Sequence, residues 1–579
     1  MKDKLKVMGL TLVLAVVMGV MSMMTVNAED GLQGKIDNLT KGEVVLDKNY
    51  TVDGLTIAKG QDVTLDLNGY TLTTKIKVNG KLTLTSSKTG GTVVGNGEAN
   101  TSAIEVGEDE KGSESVGEFT LVKNVTIKND TGYGVYCMNG STAYVKGGSI
   151  ETFYSPLTGN NTTGAMNFVV SGGSLKALKG PAIYMPGPID LTITGGTLDG
   201  GIGLRMGNVN ISGGTINAAT TDLDDIKDYY NKSGNIWLAD ALFVFGGTYK
   251  AGSGYNNDLN LNITGGTFNT TNGKGSGIAI YDIGKEVQNM KVNISSKALV
   301  KTNAVGRNAY DVLSLKDMGV TNPSAGYGVN SGKVQTTITG GSFSSSVRPY
   351  LDQYYQEKEE GSLFVVSKKE IAVDVPSIDK TSPVKTIKYG IENISNIQDI
   401  LIASLMKNDS IDVTDVTPLI EVNVTDKKES DVDSTVKESI DKALTDKSKN
   451  LKVANYFDIS IAVKNKENDD YLGSLDKLTE KVKFAVAIPD SLLKTEDGYE
   501  RHFYVVRVHG DKTDILDTKL DKNIVTFESD KFSTYALAYE DVKKTAITNP
   551  ETSDNIIIFG SLLVLGLAGM VVTYKKFFN

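Results

Sequence analysis

Between residues 30 and 345 the chain repeats one short pattern of apolar and polar residues. Apolar and polar positions alternate briefly, two adjacent glycines follow, and a Ser or Thr and a further apolar residue come next. Alternation with a period of two predicts a short strand with one buried face. The glycine pair predicts a bend in which a Cβ atom would obstruct the chain. The pattern occurs as YVKGGSI, VVSGGSL, TITGGTL, NISGGTI, FVFGGTY, NITGGTF and TITGGSF.

The spacing of these glycine pairs is typical of a solenoid. The first glycine of each pair stands at 147, 172, 195, 213, 246, 265 and 340. The segment VNISSKAL, which ends at Leu299, fills part of the longest gap. The pitch predicts roughly 13 to 15 rungs over residues 29–366. We expect the recurring Thr, Asn and Ser residues to form hydrogen-bonded ladders from rung to rung.

The links between these strands predict how the chain coils. No helix-length amphipathic segment interrupts most of the stretch, and parallel strands that are joined only by turns must coil. We therefore predict a right-handed parallel β-helix over residues 29–345. Its rungs resemble the pectin-lyase-like β-helices of bacterial surface proteins. An array of β-sandwiches is the alternative.

Residues 346–366 are predicted to form a helical cap. Pro349 suits the first position of a helix, and Tyr350, Leu351 and Tyr354 would share one helical face over the last rung. A solenoid needs such a cap to hide its open core. The segment GGSFSS with the tyrosines that follow it resembles closing repeats of Firmicute surface proteins. Residues 367–384, which contain two prolines, are predicted to form a linker.

From residue 385 to residue 545 the pattern changes. The segments LIEVNVTD, YFDISIAVKN, KVKFAVAIP, HFYVVRVHG, NIVTFESD and TYALAYED alternate apolar and polar residues, and Asp433 to Lys447 has helical spacing. This predicts a β-sandwich-like domain with one inserted helix. The segments FYVVRVH and DKFSTYALAY resemble a module of clostridial surface proteins, and that resemblance implies a stalk.

The N-terminus has the layout of a secretory signal. Lys2, Lys4 and Lys6 precede an apolar run that closes on VNA. This predicts a signal peptide over residues 1–28, cleaved between Ala28 and Glu29. An uncleaved membrane anchor is the alternative.

The C-terminal residues 546–579 combine three features. Asn549-Pro550-Glu551-Thr552-Ser553 precedes an uncharged run, and that run is followed directly by two lysines. The run, residues 556–574, would reach roughly 28 Å as a helix and predicts a transmembrane segment. The three features together resemble the cell-wall sorting signal of Gram-positive surface proteins, in which a sortase cuts after the threonine. Asn549 and Ser553 depart from the commonest pattern, which leaves the sortase class open.

Composition narrows the possible partners and the means of stabilisation. The chain has 61 Gly, one Cys and a net charge of −10 with both signs interspersed. One cysteine, Cys137, excludes an internal disulfide framework and predicts a packed thiol. The charge pattern argues against a nucleic-acid partner. No cofactor or metal is predicted.

Catalytic chemistry has few candidates in the first half. Both histidines, His502 and His509, fall on a predicted strand of the second half, and the only arginines of the first half are Arg205, Arg307 and Arg348. We therefore predict no catalytic residues.

An insertion in the repeat supplies the candidate ligand contacts. The segment TTDLDDIKDYYNKSGNIW, which ends at residue 237, lengthens one step and combines acids with aromatic residues. It does not fit a calcium loop, and a short helix with its acids in the first turn is the alternative. The candidate contacts are Asp222, Asp224, Asp225, Tyr229, Tyr230 and Trp237, and Asp228 lies among them.

These features predict a surface protein that is anchored to the Gram-positive cell wall. We expect an adhesin, or a protein that interacts with glycans or other surfaces, without catalytic activity. The alternatives are a wall-bound polysaccharide lyase or glycoside hydrolase, and a passive structural protein. The expected partners are a sortase, peptidoglycan and an extracellular ligand that the sequence does not identify.

Overall fold

The computed structural model describes residues 31–108, 116–138, 140–159, 165–220, 238–245, 258–283, 289–314, 316–317, 333–379, 383–392 and 394–544. The chain divides into two compact units between residues 370 and 371. Strands make up 53% and helices 9%, which confirms the mainly-β class. The predicted signal peptide, the cleavage site Ala28–Glu29 and the segment 546–579 lie outside the described residues.

The first unit is a parallel, β-helix-like coil in which each turn contributes three strands. The first and third strands of the turns belong to one curled 19-stranded sheet, and the second strands stack in a 13-stranded sheet. We call the three stacks face one, face two and face three, in chain order. The 13 strands include the two of a closing hairpin, so 11 parallel strands are stacked, fewer than the rungs predicted from the pitch. The insertions lengthen several turns and account for the difference.

The strands of face one are Lys41–Val45, Asp62–Asp66, Lys81–Thr85, Glu118–Leu121, Thr142–Val145, Met166–Val170, Leu259–Ile263, Met290–Ile294 and Val334–Ile338. Those of face two are Tyr50–Thr51, Thr71–Thr73, Gly91–Val94, Val125–Asn129, Ser149–Thr152, Ser174–Ala177, Thr197–Gly200, Thr215–Ala218, Thr267–Thr270, Leu299–Thr302 and Gly341–Phe343. Those of face three are Leu55–Ile57, Ile76–Val78, Ser102–Val106, Tyr133–Cys137, Leu157–Gly159, Leu242–Phe245, Ile278–Asp282 and Tyr310–Ser314. Two long strands, Ile183–Ile193 and Ile202–Ile211, run through face three into face one.

The interior of the coil is a continuous apolar core. Alternate residues of each strand point inward, as the pleat requires, and most of those on face one are Val, Leu, Ile or Phe with almost no exposed surface. The fully buried phenylalanine rings of this core are Phe119 and Phe168 on face one and Phe268 and Phe343 on face two. Each turn buries too little by itself, so the core depends on stacking.

The glycine pairs form the corner between face one and face two, as predicted. At Gly213 a Cβ atom would lie 2.3 Å from the carbonyl oxygen of Thr194 in the preceding turn. Gly214 has φ +88°, in the left-handed region that favours glycine. In VNISSKAL, Ser296 stands where the other repeats have their first glycine, and its φ of +56° forms the corner there.

One of the seven repeats was assigned wrongly. The strand of FVFGGTY, Leu242–Phe245, lies on face three, where it pairs with Ile278–Asp282. All four of its residues are buried, whereas face-one strands alternate buried and exposed residues. Its outward aromatic residues distinguish it from the other repeats.

Both ends of the coil are closed, but not by the predicted helix. At the N-terminal end a short helix, Leu32–Asp37, packs Leu32 and Ile36 into the core. At the C-terminal end residues 346–366 contain only a 3₁₀ turn, Arg348–Tyr350, before the antiparallel hairpin Tyr355–Glu360 and Leu363–Lys368. The hairpin extends face two, because Leu363–Lys368 pairs with Gly341–Phe343.

The predicted packing of the cap is nevertheless present. Tyr350 and Leu351 pack against the core of the coil, and Tyr354 is buried. The Tyr350 ring meets that of Tyr310 edge-on at 4.9 Å between centroids. Backbone pairing with the last rung satisfies an open sheet edge that a helix would leave unpaired.

The second unit contains two mostly antiparallel sheets. The larger is built from Ala372–Asp374, Pro418–Lys427, Lys452–Asn465, Tyr471–Ser474, Tyr499–His509, Lys512–Leu516 and Thr534–Lys543. The smaller is built from Lys388–Ile391, Lys477–Ala487, Thr518–Asp521 and Ile524–Lys531. Aromatic rings of the two sheets meet between them, with Phe457 and Phe527 centroids 6.3 Å apart. The predicted linker is partly wrong, because Ala372–Asp374 pairs with a strand of this unit.

The second unit contains more helices than the one that was predicted. The predicted helix is present as Ser434–Lys447, capped by the Asp433 carboxylate, which accepts from the backbone N–H of Thr435. A second helix, Ile394–Met406, was missed, although Ile397, Leu401 and Leu405 are buried at helical spacing. A short helix, Asp490–Leu493, and a 3₁₀ turn, Glu429–Asp431, complete the unit.

Among the described residues no helix combines the length and the apolar character that a bilayer span requires. The predicted transmembrane segment 556–574 is not among those residues.

Candidate functional site

Face three carries a second apolar cluster on its outward side. We call it the outer cluster; it consists of Tyr184, Leu238, Phe243, Phe245, Ala279, Tyr281 and Ile283. Its members stand at positions that point away from the interior of the coil, yet each is less than 5% exposed. These strands are therefore buried on both sides, unlike those of face one.

A glycine makes room for one aromatic ring of the outer cluster. Gly203 stands in register between Tyr184 and Phe243 on neighbouring strands. A Cβ atom at Gly203 would lie 2.4 Å from the Phe243 ring. The Arg205 guanidinium lies 5.1 Å from the centroid of Phe245, on the next strand, in a cation–π arrangement.

A buried polar network adjoins the outer cluster. Asp240 accepts hydrogen bonds from the Tyr281 hydroxyl at 2.7 Å and from the backbone N–H of Ser276 at 2.6 Å. Arg307 Nη2 donates to Asp240 Oδ1 at 2.9 Å, and its Nε donates to Asp311 Oδ2 at 3.0 Å. The Ser276 hydroxyl also donates to Asp311, at 2.5 Å. The network joins three successive turns of the coil.

Burial shapes the electrostatics of this network. The Asp240 side chain is completely buried, and this burial raises the pKa of its carboxyl more than Arg307 and Tyr281 lower it. Burial also raises the pKa of Tyr281 well above its usual value. Burial alone would lower the pKa of Arg307, but the adjacent Asp240 raises it overall. The guanidinium therefore stays charged and holds the two carboxylates in place.

The base of the insertion is fixed by one side chain. Asn272 Nδ2 donates to the carbonyl oxygen of Ala219 at 2.8 Å and to that of Ala239 at 2.7 Å. These two residues flank the insertion on its two sides. Asn272 Oδ1 accepts from the backbone N–H of Gly275 at 3.1 Å, which orients the amide. The two stems of the insertion are therefore held together on the coil.

Several connections to the strands of this site contain residues that the structure does not describe. Each of them precedes or follows a strand of face three in the chain; the residues are 221–237, 246–257, 284–288 and 318–332. The predicted ligand contacts fall in the first of them: Asp222, Asp224, Asp225, Asp228, Tyr229, Tyr230 and Trp237. The residues of the sorting signal, Asn549, Pro550, Glu551, Thr552 and Ser553, are likewise outside the described part of the chain.

The chemistry of the polar network is that of a structural clamp. Each oxygen of the two carboxylates accepts a hydrogen bond, including one from Asn308 Nδ2 to Asp311 Oδ1 at 2.9 Å. A general acid or base must come within hydrogen-bonding distance of its substrate. Asp240 has no exposed surface for such a contact, so in this arrangement it holds the turns together.

Sequence reasoning missed this network because its members are far apart in the chain. Arg307 and Asp240 are 67 residues apart, and no motif links them. A signal was present in the strands LFVF and IAIYD, whose outward positions are aromatic rather than polar.

Faces one and two carry the predicted side-chain ladders, which confirms that expectation. On face one Asn260 Nδ2 donates to Asn208 Oδ1 at 3.0 Å, and Asn293 Nδ2 donates to Asn262 Oδ1 at 3.0 Å. On face two the residues that follow the glycine pairs stack in register, with Ser149 Oγ donating to Thr126 Oγ1 at 3.0 Å. Eight Ser or Thr residues align there: Thr71, Thr92, Thr126, Ser149, Ser174, Thr197, Thr215 and Thr267.

The isolated nucleophile and imidazole candidates have structural roles. Cys137 is fully buried, and burial raises the pKa of its thiol, as expected for a packed residue. His502 and His509 both lie on the strand Tyr499–His509, as predicted. His502 Nε2 lies 3.0 Å from Glu500, and His509 Nδ1 lies 3.0 Å from the carbonyl oxygen of Phe532.

The second unit contains an open groove of about 660 Å³. Arg501 is central to it: it forms two bonds with Asp541, at 2.7 and 2.6 Å, and stacks 4.0 Å above Tyr539. Lys522 and Lys544 also line the groove. Since Asp541 neutralises Arg501, the groove has only a modest positive character.

Within the described ranges no three His, Cys, Asp or Glu residues are grouped so that they could hold a metal ion. No protein-family model, curated protein or solved structure matched this chain in the comparisons with known proteins.

Proposed function

We propose that this chain is a non-catalytic adhesin that is exported and anchored to the Gram-positive cell wall. In this proposal the coil is a right-handed parallel β-helix that presents the ligand-binding surface, and the second unit is a β-sandwich stalk. A sortase would join Thr552 to peptidoglycan after removal of the signal peptide at Ala28.

The fixed base of the insertion carries this proposal. Asn272 holds both stems of the insertion, and the Asp240–Arg307–Asp311 network joins the turns beside it. Binding residues are often placed on loops that a rigid scaffold positions. A loop with acids and three aromatic residues on such a base suits the recognition of a surface ligand better than acid–base chemistry.

Anchoring is tested with the variant Thr552→Ala in producing cells. We expect the variant protein to remain in the membrane fraction, while the parent is released with the wall by muramidase. Thr548→Ala, which changes the same residue type outside the pentapeptide, should sort like the parent. Equal wall release of Thr552→Ala and the parent would refute sortase anchoring.

Binding is tested by probing the full chain on arrays of glycans and extracellular-matrix proteins. The variant Tyr229→Ala/Tyr230→Ala/Trp237→Ala should lose at least part of the signal. Tyr471→Ala, at a tyrosine that is 65% exposed in the second unit, is the matched control. A signal that survives the triple change would remove the insertion from the binding surface.

Polysaccharide cleavage is the second candidate function. The observation in its favour is the group of aspartates in the insertion, Asp222, Asp224, Asp225 and Asp228, because glycosidases use pairs of carboxyl groups. The full chain would be incubated with pectin, polygalacturonate, mucin glycans and hyaluronan, with and without calcium. Release of reducing ends or of an unsaturated product, lost in Asp224→Ala/Asp225→Ala, would favour the enzyme over the adhesin.

A further inference from the structure

Face one carries an unusual concentration of asparagine on three consecutive strands. Asn208 and Asn210 lie on Ile202–Ile211, Asn260 and Asn262 on Leu259–Ile263, and Asn293 on Met290–Ile294. We call these five residues the amide track. All of them point away from the core, and four are exposed while Asn262 is half-buried.

The five amides form two ladders across the strands. Asn260 donates to Asn208 at 3.0 Å, and Asn208 donates to Asp190 at 2.9 Å. Asn293 donates to Asn262, which in turn donates to Asn210 at 3.2 Å. A side-chain amide has two N–H donors and a carbonyl oxygen with two lone pairs. On a central residue such as Asn262, the ladder uses one N–H donor and one lone pair. One N–H donor and one lone pair therefore remain for a ligand.

The backbone beneath the track is regular and rigid. The three strands pair in parallel without a break in register. Between the asparagines the inward residues Val209, Leu261 and Val292 are fully buried in the core. The amides are therefore held at the strand spacing of about 4.8 Å, before any ligand arrives. A preorganised array loses little conformational entropy on binding.

Hydroxyl groups extend the track toward the glycine corner. Ser212, Thr264 and Ser295 stand two residues after Asn210, Asn262 and Asn293, respectively, and point to the same side. At the other end of the track Tyr144 stands in the same row as Asn210, separated from it by Val169 and Thr192 on the intervening strands. The surface thus combines amides, hydroxyls and an aromatic ring.

The charge of this surface indicates the class of ligand. The amides and hydroxyls are neutral, and Asp190 and Lys291 stand one at each side of the track. At the far end Lys146 Nζ lies 5.4 Å from the centroid of the Tyr144 ring, as a single cation beside it. Such a surface cannot compensate the charges of an acidic polymer, because it contains no row of cations. It can donate hydrogen bonds to the hydroxyl groups of a neutral sugar and accept hydrogen bonds from them.

We propose that the amide track binds an extended neutral polysaccharide, with its sugar hydroxyls bonded to successive amides. The repeat of the strands is comparable to the length of a sugar ring, so consecutive sugars can meet consecutive strands. Tyr144 would stack against a sugar at one end of the bound segment. This inference rests on the adhesin function proposed above and names its ligand class, but it uses a surface other than the insertion.

The test is affinity electrophoresis of the full chain through gels that contain one polysaccharide each. The neutral probes are hydroxyethyl cellulose, arabinoxylan, galactomannan and dextran, and the acidic probes are polygalacturonate and hyaluronan. The track variant is Asn210→Ala/Asn262→Ala/Asn293→Ala. The matched control is Asn217→Ala/Asn269→Ala, which removes an asparagine pair of the same kind on face two, where the two residues lie 3.5 Å apart. The single change Asn293→Lys, at an exposed site, serves if the triple variant does not fold.

We expect at least one neutral polysaccharide to slow the migration of the parent protein through the gel. The track variant should bind it about tenfold more weakly, the loss expected for a few net hydrogen bonds, and the control should bind like the parent. Failure of every neutral probe, stronger binding of an acidic probe, or equal loss in the control would overturn the proposal. If the insertion variant loses binding while the track variant keeps it, the track inference fails and the adhesin function stands.

Discussion

Face one and the C-terminal part of face three, from residue 183 onward, belong to the same coil but use their outward positions in opposite ways. On face one the outward residues are mostly polar and form ladders that leave the surface open to solvent, as at Asn210 and Asn293. On face three the outward residues Phe243 and Tyr281 are only 1% exposed. The comparison teaches that the inward pattern fixes the coil, while the outward pattern decides which side is a regular surface and which side supports insertions.

The largest expected effect is a difference in stability between two variants, one at a buried outward side chain of face three and one at an outward side chain of face one. Phe243→Ala should lower the free energy of unfolding of the coil by about 3–5 kcal/mol, because it empties a buried site. Val169→Ala, at a half-buried outward position of face one, should cost far less. Urea unfolding followed by the fluorescence of Trp237, the only Trp of the chain, reports on the first unit. Similar losses in the two variants would contradict the distinction between the faces.

The polar network supplies the second contrast. Asp240→Ala leaves Arg307 and Tyr281 without their shared acceptor, and we expect a loss of about 3 kcal/mol in the free energy of unfolding. Asp190→Ala, which removes an exposed carboxylate of face one, should change it by less than about 0.5 kcal/mol. The same urea experiment measures both variants. Equal stability of Asp240→Ala and the parent would show that the network is dispensable.

Loosening the stems of the insertion should lower stability by a smaller amount, and the change can be measured locally as faster proteolysis. Asn272→Ala removes both hydrogen bonds to the stems, together with those that Asn272 accepts from the backbone N–H groups of Lys274 and Gly275. It should cost about 1–2 kcal/mol of local stability. Trypsin should then cut at Lys227 and Lys232 about 5- to 30-fold faster, which mass spectrometry can follow. Asn303→Ala is the control, since Asn303 bonds Thr271 and Gly273 instead of the stems. Unchanged cleavage in Asn272→Ala would show that the stems are held by other contacts.

The smallest effect is a pH dependence of the same network. Burial raises the pKa of Asp240, so the folded state binds its proton more tightly than the unfolded state does. The contribution of Asp240 to stability is therefore fully present below the usual carboxyl pKa and is lost as the pH rises through the folded value. Relative to Asp240→Asn, the parent should lose stability as the pH rises above the usual carboxyl range. Parallel stability curves for the two proteins would refute this sign.

The strands and corners of the repeats could be predicted because alternation and glycine placement each depend on a few neighbouring residues. Alternation fixed the inward side of each strand, and the glycine pair fixed the corner at Gly213 and Gly214. The residue types in the ladders followed from the same repeat. Cys137 was predicted to be a packed thiol because the first half contains no histidine to activate it. The helix Ser434–Lys447 was predicted because its apolar spacing is local.

Other features depend on contacts between segments that are distant in the chain. The segment 346–366 has both a helical and an alternating pattern, and pairing with Gly341–Phe343 selected the hairpin. The strand Leu242–Phe245 carries the repeat motif but lies on face three, because Phe243 fits against Gly203.

Short strands stacked around an apolar core follow from the sequence alone, since period and glycine spacing are properties of neighbouring residues. The contact between Asp240, Tyr281, Arg307 and Asp311 arises only in the folded coil. Those residues come from three successive turns of the coil, with insertions of unequal length between them. Their contact depends on how many residues each turn contains and on which side of the strand each side chain points, and no local pattern carries both.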